Sequence, residues 1–140
     1  MISYKFGLEQ INWSDLFNLY EKTGLLRRFI ENKEFDKIQS VFQNSYKVVT
    51  AWDGNVLVGS CRMLSDGISY GMVFDVGVLQ EYQKKGIGKG MLNLLLKGEQ
   101  HMSIHLTSTF GNEDFYKKLG FKKHKTAYAK YPFQSKYLED

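Results

Sequence analysis

Residues 83–90 read Gln-Lys-Lys-Gly-Ile-Gly-Lys-Gly and stand between a β-rich segment and the apolar helical run Met91 to Leu96. A strand that feeds a glycine-rich, lysine-bearing turn and then a helix outlines an anion site. The first-turn amides of a helix have no intrahelical partner, and the helix dipole makes that end positive. Glycine matters there because a Cβ would hold a phosphate away from the backbone. Lys84, Lys85 and Lys89 add formal charge around it. The nucleotide-binding Walker pattern fails, because Gly90 follows Gly88-Lys89 where Ser or Thr is required and Gln83 stands at the first glycine position. The dinucleotide pattern fails as well, since Met91 occupies the place of its third glycine. On this stretch alone, a glycine-softened helix start with no ligand remains open.

The pattern around the turn sets the expected fold. Residues 2–6 suit a short first strand. Asn12 to Lys22 reads as a helix, with Asn12 and Asp15 at capping-box spacing, Gly24 at the far end, and Trp13, Leu16, Phe17 and Tyr20 as its apolar face. A second helix is expected from about Lys33 to Gln43. The period then changes. Tyr46 to Trp52 is β-rich, Asp53-Gly54 signals a two-residue hairpin, Val56 to Leu64 returns, and Ser65-Asp66-Gly67 turns into a strand from about Ser69 to Val78. After the glycine-rich helix come a short strand, Ser103 to Thr107, a short helix, Glu113 to Leu119 stopped by Gly120, and one or two last strands between Phe121 and about Tyr131. The order β-α-α-β-β-β-α-β-α-β(β) predicts a mixed α/β (α+β) layout with a mostly antiparallel sheet.

At 140 residues the chain is one domain's worth, and no linker, repeat or low-complexity tract divides residues 1–140. Aromatic residues at 15% make the core or a cleft rich in rings. The single Cys61 rules out an internal disulfide. The start, MISYKFGLEQ, lacks the basic-then-apolar run of a signal peptide, and no stretch approaches ~18 consecutive apolar residues. A soluble, cytoplasmic protein with no membrane association is therefore expected. The net charge of +4 suits an anionic ligand without demanding nucleic acid.

Gln83-Lys84-Lys85-Gly86-Ile87-Gly88 also resembles the pyrophosphate-binding signature [Gln/Arg]-x-x-Gly-x-[Gly/Ala] of the GNAT superfamily of N-acetyltransferases. Phe74-Asp75-Val76-Gly77-Val78 and Glu81-Tyr82 stand where that family has its central strand and lead-in. A second block, Asn112-Glu113-Asp114-Phe115-Tyr116-Lys117-Lys118-Leu119-Gly120-Phe121, is similar to the family's Phe-Tyr-x-x-x-Gly-Phe ending, one strand and one helix later. The likeness runs from about Val48 to Phe121 and is vague over the first 45 residues. Within the superfamily, the segments around Ala51-Trp52, Leu57-Val58-Gly59 and Arg62 to Gly67 look closest to a branch with plant and bacterial arylalkylamine- and lysine-acetylating members.

The resemblance implies a GNAT fold, with a six- to seven-stranded sheet flanked by about four helices and splayed central strands. It implies an N-acetyltransferase that uses acetyl-CoA as co-substrate, with no metal, and acetylates a primary amine on a small molecule or a protein lysine. The turn residues Gln83, Lys84, Lys85, Gly86, Ile87, Gly88 and Lys89 would hold the diphosphate. Val76 and Val78 would bind the pantetheine arm through their main chains, as an added pseudo-strand. Gly77 would mark the bulge that parts the strands, unless it is small only for packing. Asn112 and Phe115 would contact the cofactor, with a plain N-cap as the other reading of Asn112. Tyr116 would protonate the departing thiolate, or else pack on Phe121.

The general base departs from better-known family patterns: the positions that carry Glu or His elsewhere match Met72 and Phe74. Asp75 is the only acid on that strand, either as base or in a structural hydrogen bond, and a water chain to bulk is the alternative. A binding module that holds acyl-CoA without turnover is the alternative function. His101, His105 and His124 lack metal-ligand spacing, and Cys61 reads as a small core residue. The lysine- and tyrosine-rich tail from Lys117 to Tyr137 reads as solvated surface and not as a nucleic-acid site. Trp13, Phe17 and Tyr20 would be core, with part of their surface walling an amine pocket. A homodimer is common among such proteins.

Overall fold

The computed structural model describes residues 1–140, which divide into two compact units, Met1–Leu106 and Thr107–Asp140. The first unit runs β1 (Ile2–Phe6), α1 (Trp13–Thr23), α2 (Arg27–Glu31), α3 (Phe35–Gln43), β2 (Lys47–Asp53), β3 (Val56–Ser65) and β4 (Tyr70–Val78). A 3-10 turn (Gln80–Tyr82), α4 (Ile87–Leu96) and β5 (Ser103–Leu106) complete it. The second unit holds α5 (Glu113–Lys118).

The strong local signals act as the sequence predicts. Asn12 accepts hydrogen bonds from the Ser14 and Asp15 amides at 3.0 and 3.4 Å, capping α1. Gly24 ends that helix in the left-handed region, at φ 77°, and returns its N–H to the Tyr20 carbonyl. The β2–β3 hairpin is one residue out from its predicted loop. Asp53 still pairs with Val56, so the two loop residues are Gly54 and Asn55, with Gly54 at φ 59°.

The five strands form one mixed sheet in the order β1-β2-β3-β4-β5, antiparallel except for the parallel β4–β5 pair. The predicted six to seven strands are thus five, because nothing after Gly120 forms a strand. Lys122-Lys123-His124-Lys125 interrupts the alternation that a half-buried strand needs, and residues 122–130 are all exposed. Five α-helices stand where about four were expected. The extra one, α2, spans five residues and is too short to leave a periodic signal; it is entered through Leu26 at φ 52°.

Two faces of the sheet are covered. A Cβ added to Gly59 would meet Met91 of α4, whereas one added to Gly77 would meet Thr23 at the end of α1 and Leu25 just past it. Since Ser60 is paired with Gly77 and Gly59 with Val78, α1 and α4 lie on opposite faces. Ile87, Met91, Leu92 and Leu95 of α4 are buried, and each such side chain contributes roughly 1.5–3 kcal/mol.

Gly90 is required by close packing. A Cβ there would collide with the ring of Tyr4 on β1, a rigid group that moves only as a unit. We predict that Gly90→Ala destabilises the fold by about 1–2 kcal/mol, after the helix-propensity gain of about 1 kcal/mol offsets part of the overpacking. Urea unfolding of Gly90→Ala, Tyr4→Ala and the double variant measures this. Fully additive effects would show that the collision is not the cause.

Candidate active site

The head of α4 is open. Its N-cap is Gly86, in the left-handed region at φ 82°, and no side chain caps the helix. The first-turn amides therefore have neither carbonyl nor side-chain partners. Lys84 is also left-handed, at φ 64°, so the turn is sharply folded just before the helix. None of the four ion pairs in the chain involves Lys84, Lys85 or Lys89, all of which are exposed. Open amides and ammonium groups outside any close ion pair make a donor set that fits a polyanion such as a diphosphate.

Three contacts anchor this turn. Gln83 Nε2 donates to the Val78 carbonyl at 3.0 Å, joining the turn to the end of β4. The Tyr82 hydroxyl donates to Asp53 Oδ2 at 2.7 Å, reaching the β2–β3 hairpin, and Lys85 Nζ lies 5.5 Å from the Tyr82 ring centre. The Leu79 amide donates to the Val58 carbonyl at 2.9 Å. That last bond orients the strand. If the Leu79 N–H points toward β3, alternation turns the amide and carbonyl groups of Val78 and Val76 toward the opposite edge. On that edge β4 pairs with β5 only from Tyr70 to Val73, so Phe74–Val78 has no strand partner there.

The bulge sits two residues before its expected place. The β3–β4 register shifts between Ser60 and Arg62, which leaves Cys61 opposite both Asp75 and Val76. Asp75 carries the bulge at φ 57°. Gly77 pairs regularly with Ser60, and an added Cβ would make ordinary contact with Thr23 and Leu25, 3.4 Å from each.

Asp75 is held on two sides. Its carboxylate accepts from Arg62 Nε at 2.7 Å, in an ion pair whose side chains are 13% and 10% exposed. Its carbonyl accepts from the Tyr20 hydroxyl, also at 2.7 Å. The Arg62 guanidinium lies 5.8 Å from the Phe42 ring and 5.2 Å from the Phe74 ring, and its Nη1 reaches Ser45 Oγ at 3.4 Å. This geometry favours the structural role of Asp75 over that of a base. Arg62 and Tyr20 were not picked out by sequence, where Tyr20 reads as one more ring on a helix face. The available signal was an arginine within the apolar run Leu57 to Leu64, together with the single acid on the next strand.

In the second unit, Asn112 precedes α5 but its side chain does not cap the helix. It donates instead from Nδ2 to Thr109 Oγ1 at 2.6 Å, while Glu113 Oε2 accepts from the Gly111 amide. Phe115, Tyr116 and Phe121 form an edge-to-face series, with Tyr116 5.0 Å from Phe115 and 6.0 Å from Phe121. Phe115 and Tyr116 are half-buried. Burial pushes the Cys61 thiol up to about 12, so it is a core residue and no nucleophile. No group of three or more His, Cys, Asp or Glu residues gathers in a metal-binding arrangement, and no helix is long and apolar enough to cross a membrane.

Residues 44–123, more than half of the chain, match the family model of the acetyltransferase (GNAT) domain. The chain belongs to the GNAT acetyltransferase family. It is 30% identical over 135 residues to GCN5-related N-acetyltransferase 2, chloroplastic, of Arabidopsis thaliana, a match covering 80% of this chain and 50% of that protein. It is 27% identical over 125 residues to the uncharacterized N-acetyltransferase ycf52 of Porphyra purpurea, covering 84% of this chain and 69% of that one. The chain thus spans half the length of the first of these relatives and about two thirds of the second. Among solved structures, the GNAT family protein SP0256 of Streptococcus pneumoniae superposes with a TM-score of 0.77 at 24% identity, covering 96% of this chain and 100% of that one. A predicted acetyltransferase of Clostridium acetobutylicum, solved with acetyl-CoA, superposes with a TM-score of 0.67 at 18% identity, covering 94% of this chain and 96% of that one. The mixed α/β GNAT fold is therefore shared across this group.

The hydrogen bond from Tyr82, followed by the nearby amino terminus, lowers the Asp53 carboxyl below its ordinary value. A depressed carboxyl contributes stability above its unfolded pKa, and that contribution is lost as pH falls through the folded one. We predict that Tyr82→Phe moves the Asp53 titration upward, toward the usual carboxylate range, in a carbon-detected NMR titration. An Asp53 titration unchanged by the substitution would remove this contact from the loop's anchoring.

Proposed function

We propose that this chain is an acetyl-CoA-dependent N-acetyltransferase acting on a primary amine, either of a small molecule or of a protein lysine. The observation that carries the reading is the uncapped, lysine-flanked head of α4 directly after a strand with an unpaired edge. Acetyl-CoA, the ligand of the Clostridium acetobutylicum neighbour, presents both a diphosphate for the first feature and an amide-bearing arm for the second. The first-turn amides of α4, with Lys84, Lys85 and Lys89, bind the diphosphate, and the Val76 and Val78 edge orients the pantetheine amides.

The thioester supplies an activated acetyl group. The chain's part is to position it and to handle two protons. The Tyr116 phenol is our candidate to donate a proton from Oη to the departing sulfur, and Asn112 and Phe115 accompany it on the same segment. The amine must be neutral to attack. No side chain on β4 is free to take its proton, because Met72 and Phe74 carry no base and Asp75 is bound to Arg62. The proton therefore leaves through water. That same ion pair favours the second reading, a module that binds acyl-CoA without turnover. Thiol release from acetyl-CoA over a panel of amines separates the two.

Gly86→Glu should weaken CoA binding on the order of 100-fold, since it adds a strained side chain at positive φ and a negative charge where anions dock. Calorimetry with the folded variant checks this, and retained affinity would dismiss the loop as the diphosphate site. Tyr116→Phe should lower kcat on the order of 100-fold, with the CoA Kd changed less than about twofold. Wild-type turnover in that variant would take Tyr116 out of the reaction.

A further inference from the structure

We propose that Tyr20 is a positioning residue for the acyl-CoA arm: its hydroxyl, with Arg62 as second anchor, locks the Asp75 bulge and thereby aims the Val76 and Val78 backbone at the ligand. The proposal rests on the acyl-CoA reading and adds to it a residue far away in sequence, on a different element.

Asp75 is a non-glycine residue at φ 57°, a conformation disfavoured for an L-residue that persists where the surroundings over-determine it. Here they do. The Tyr20 hydroxyl fixes the carbonyl, and Arg62 fixes the carboxylate, each at 2.7 Å. Tyr20 is fully buried on α1, and burial, followed by the nearby Asp75 carboxylate, raises its phenol well above the ordinary value. The neutral phenol keeps the proton that it donates to the Asp75 carbonyl. Arg62 is fixed in turn by the Phe42 and Phe74 rings and by Ser45.

The bulge decides which edge each later residue faces. With one extra residue on β4, the ladder resumes at Gly77–Ser60 and continues through the Leu79–Val58 bond. Val76 and Val78 then present their backbone groups to the edge that β5 leaves unpaired after Val73. If Asp75 relaxed to an extended conformation, the register beyond it would slip by one and the opposite set of groups would face that edge. A phenol from α1 thus holds the ligand-facing alternation of β4.

Tyr20→Phe removes the hydroxyl alone. Expected are a roughly tenfold weaker CoA Kd by calorimetry, equivalent to one lost hydrogen bond, and a matching rise in the KM for acetyl-CoA, with kcat changed less than about threefold. Hydrogen exchange in the variant without ligand should speed up across residues 74–78 and stay unchanged in α4. An unchanged Kd with a uniformly lowered melting temperature would overturn the proposal while leaving the acyl-CoA reading intact. Absence of CoA binding in the wild type would overturn both. Should Tyr20→Phe fail to fold, Arg62→Lys tests the second anchor, because lysine keeps a positive charge beside Asp75 without the guanidinium Nε–H that fixes its carboxylate. It should weaken the CoA Kd roughly threefold and speed exchange across residues 74–78. An unchanged Kd with unchanged exchange would overturn the proposal.

Discussion

A left-handed aspartate in mid-strand, held by a phenol and a guanidinium, sets the alternation of everything that follows it in β4. Up to Val73 the strand is paired on both edges, with β3 and with β5. After it, only the β3 edge is occupied, and the backbone groups of Val76 and Val78 are turned outward. An edge of this kind is ordinarily a liability that invites another chain. Here it lasts five residues and ends where Gln83 folds back onto the Val78 carbonyl, which leaves a gap suited to an extended, amide-bearing ligand.

The electrostatic half of the site is built on different physics. At the α4 head no specific side chain is needed for direct contact; what matters is that none is in the way and none supplies a cap. The Tyr82–Asp53 bond and the Leu79–Val58 bond fix where that head stands relative to the strand end. The lysines around it are exposed and carry charge without geometry, so their effect on an anion should fade with salt, whereas the backbone amides keep theirs. Strand edge and helix head are joined by residues 79–86, which include the 3-10 turn and are tied back to the strand end by the Gln83–Val78 bond, so one short connection spaces the two halves of a ligand site.

How legible this was depended on whether the cause is local. The Asn12 cap, the Gly24 stop and the hairpin after Asp53 each act within a few residues, and each was readable. The glycine-rich turn was readable for the same reason. Glycine is the usual local marker of a bulge, which makes Gly77 a bulge candidate beside a merely small residue, while the actual bulge residue, Asp75, is stabilised by Tyr20, 55 positions away, and by Arg62, 13 positions away. No window-based signal contains those partners. The missing last strands have the opposite cause: Phe121 to Tyr131 is rich in β-formers, yet its basic run offers no continuous apolar face to bury. The short helix α2 is one turn of chain between two left-handed residues, Leu26 and Lys33, and neither type announces that conformation.

The two sides of α1 have consequences for each other. One side sends Leu16, Leu19 and Tyr20 into the core, with Tyr20 ending on the Asp75 carbonyl. Trp13 and Phe17 are only half-buried and continue through Phe35 of α3 as a ring series, with centroid spacings of 6.3 and 4.9 Å. Whatever docks on those rings therefore rests on the helix that fixes the bulge. A shift of α1 large enough to lengthen a 2.7 Å hydrogen bond would be felt at Val76 and Val78 before it reached the α4 head, which is anchored through the β2–β3 hairpin. On the acetyltransferase reading, an acceptor bound against α1 would change how the acyl arm is held and leave the diphosphate grip alone, which separates the thioester geometry from the cofactor's main anchor.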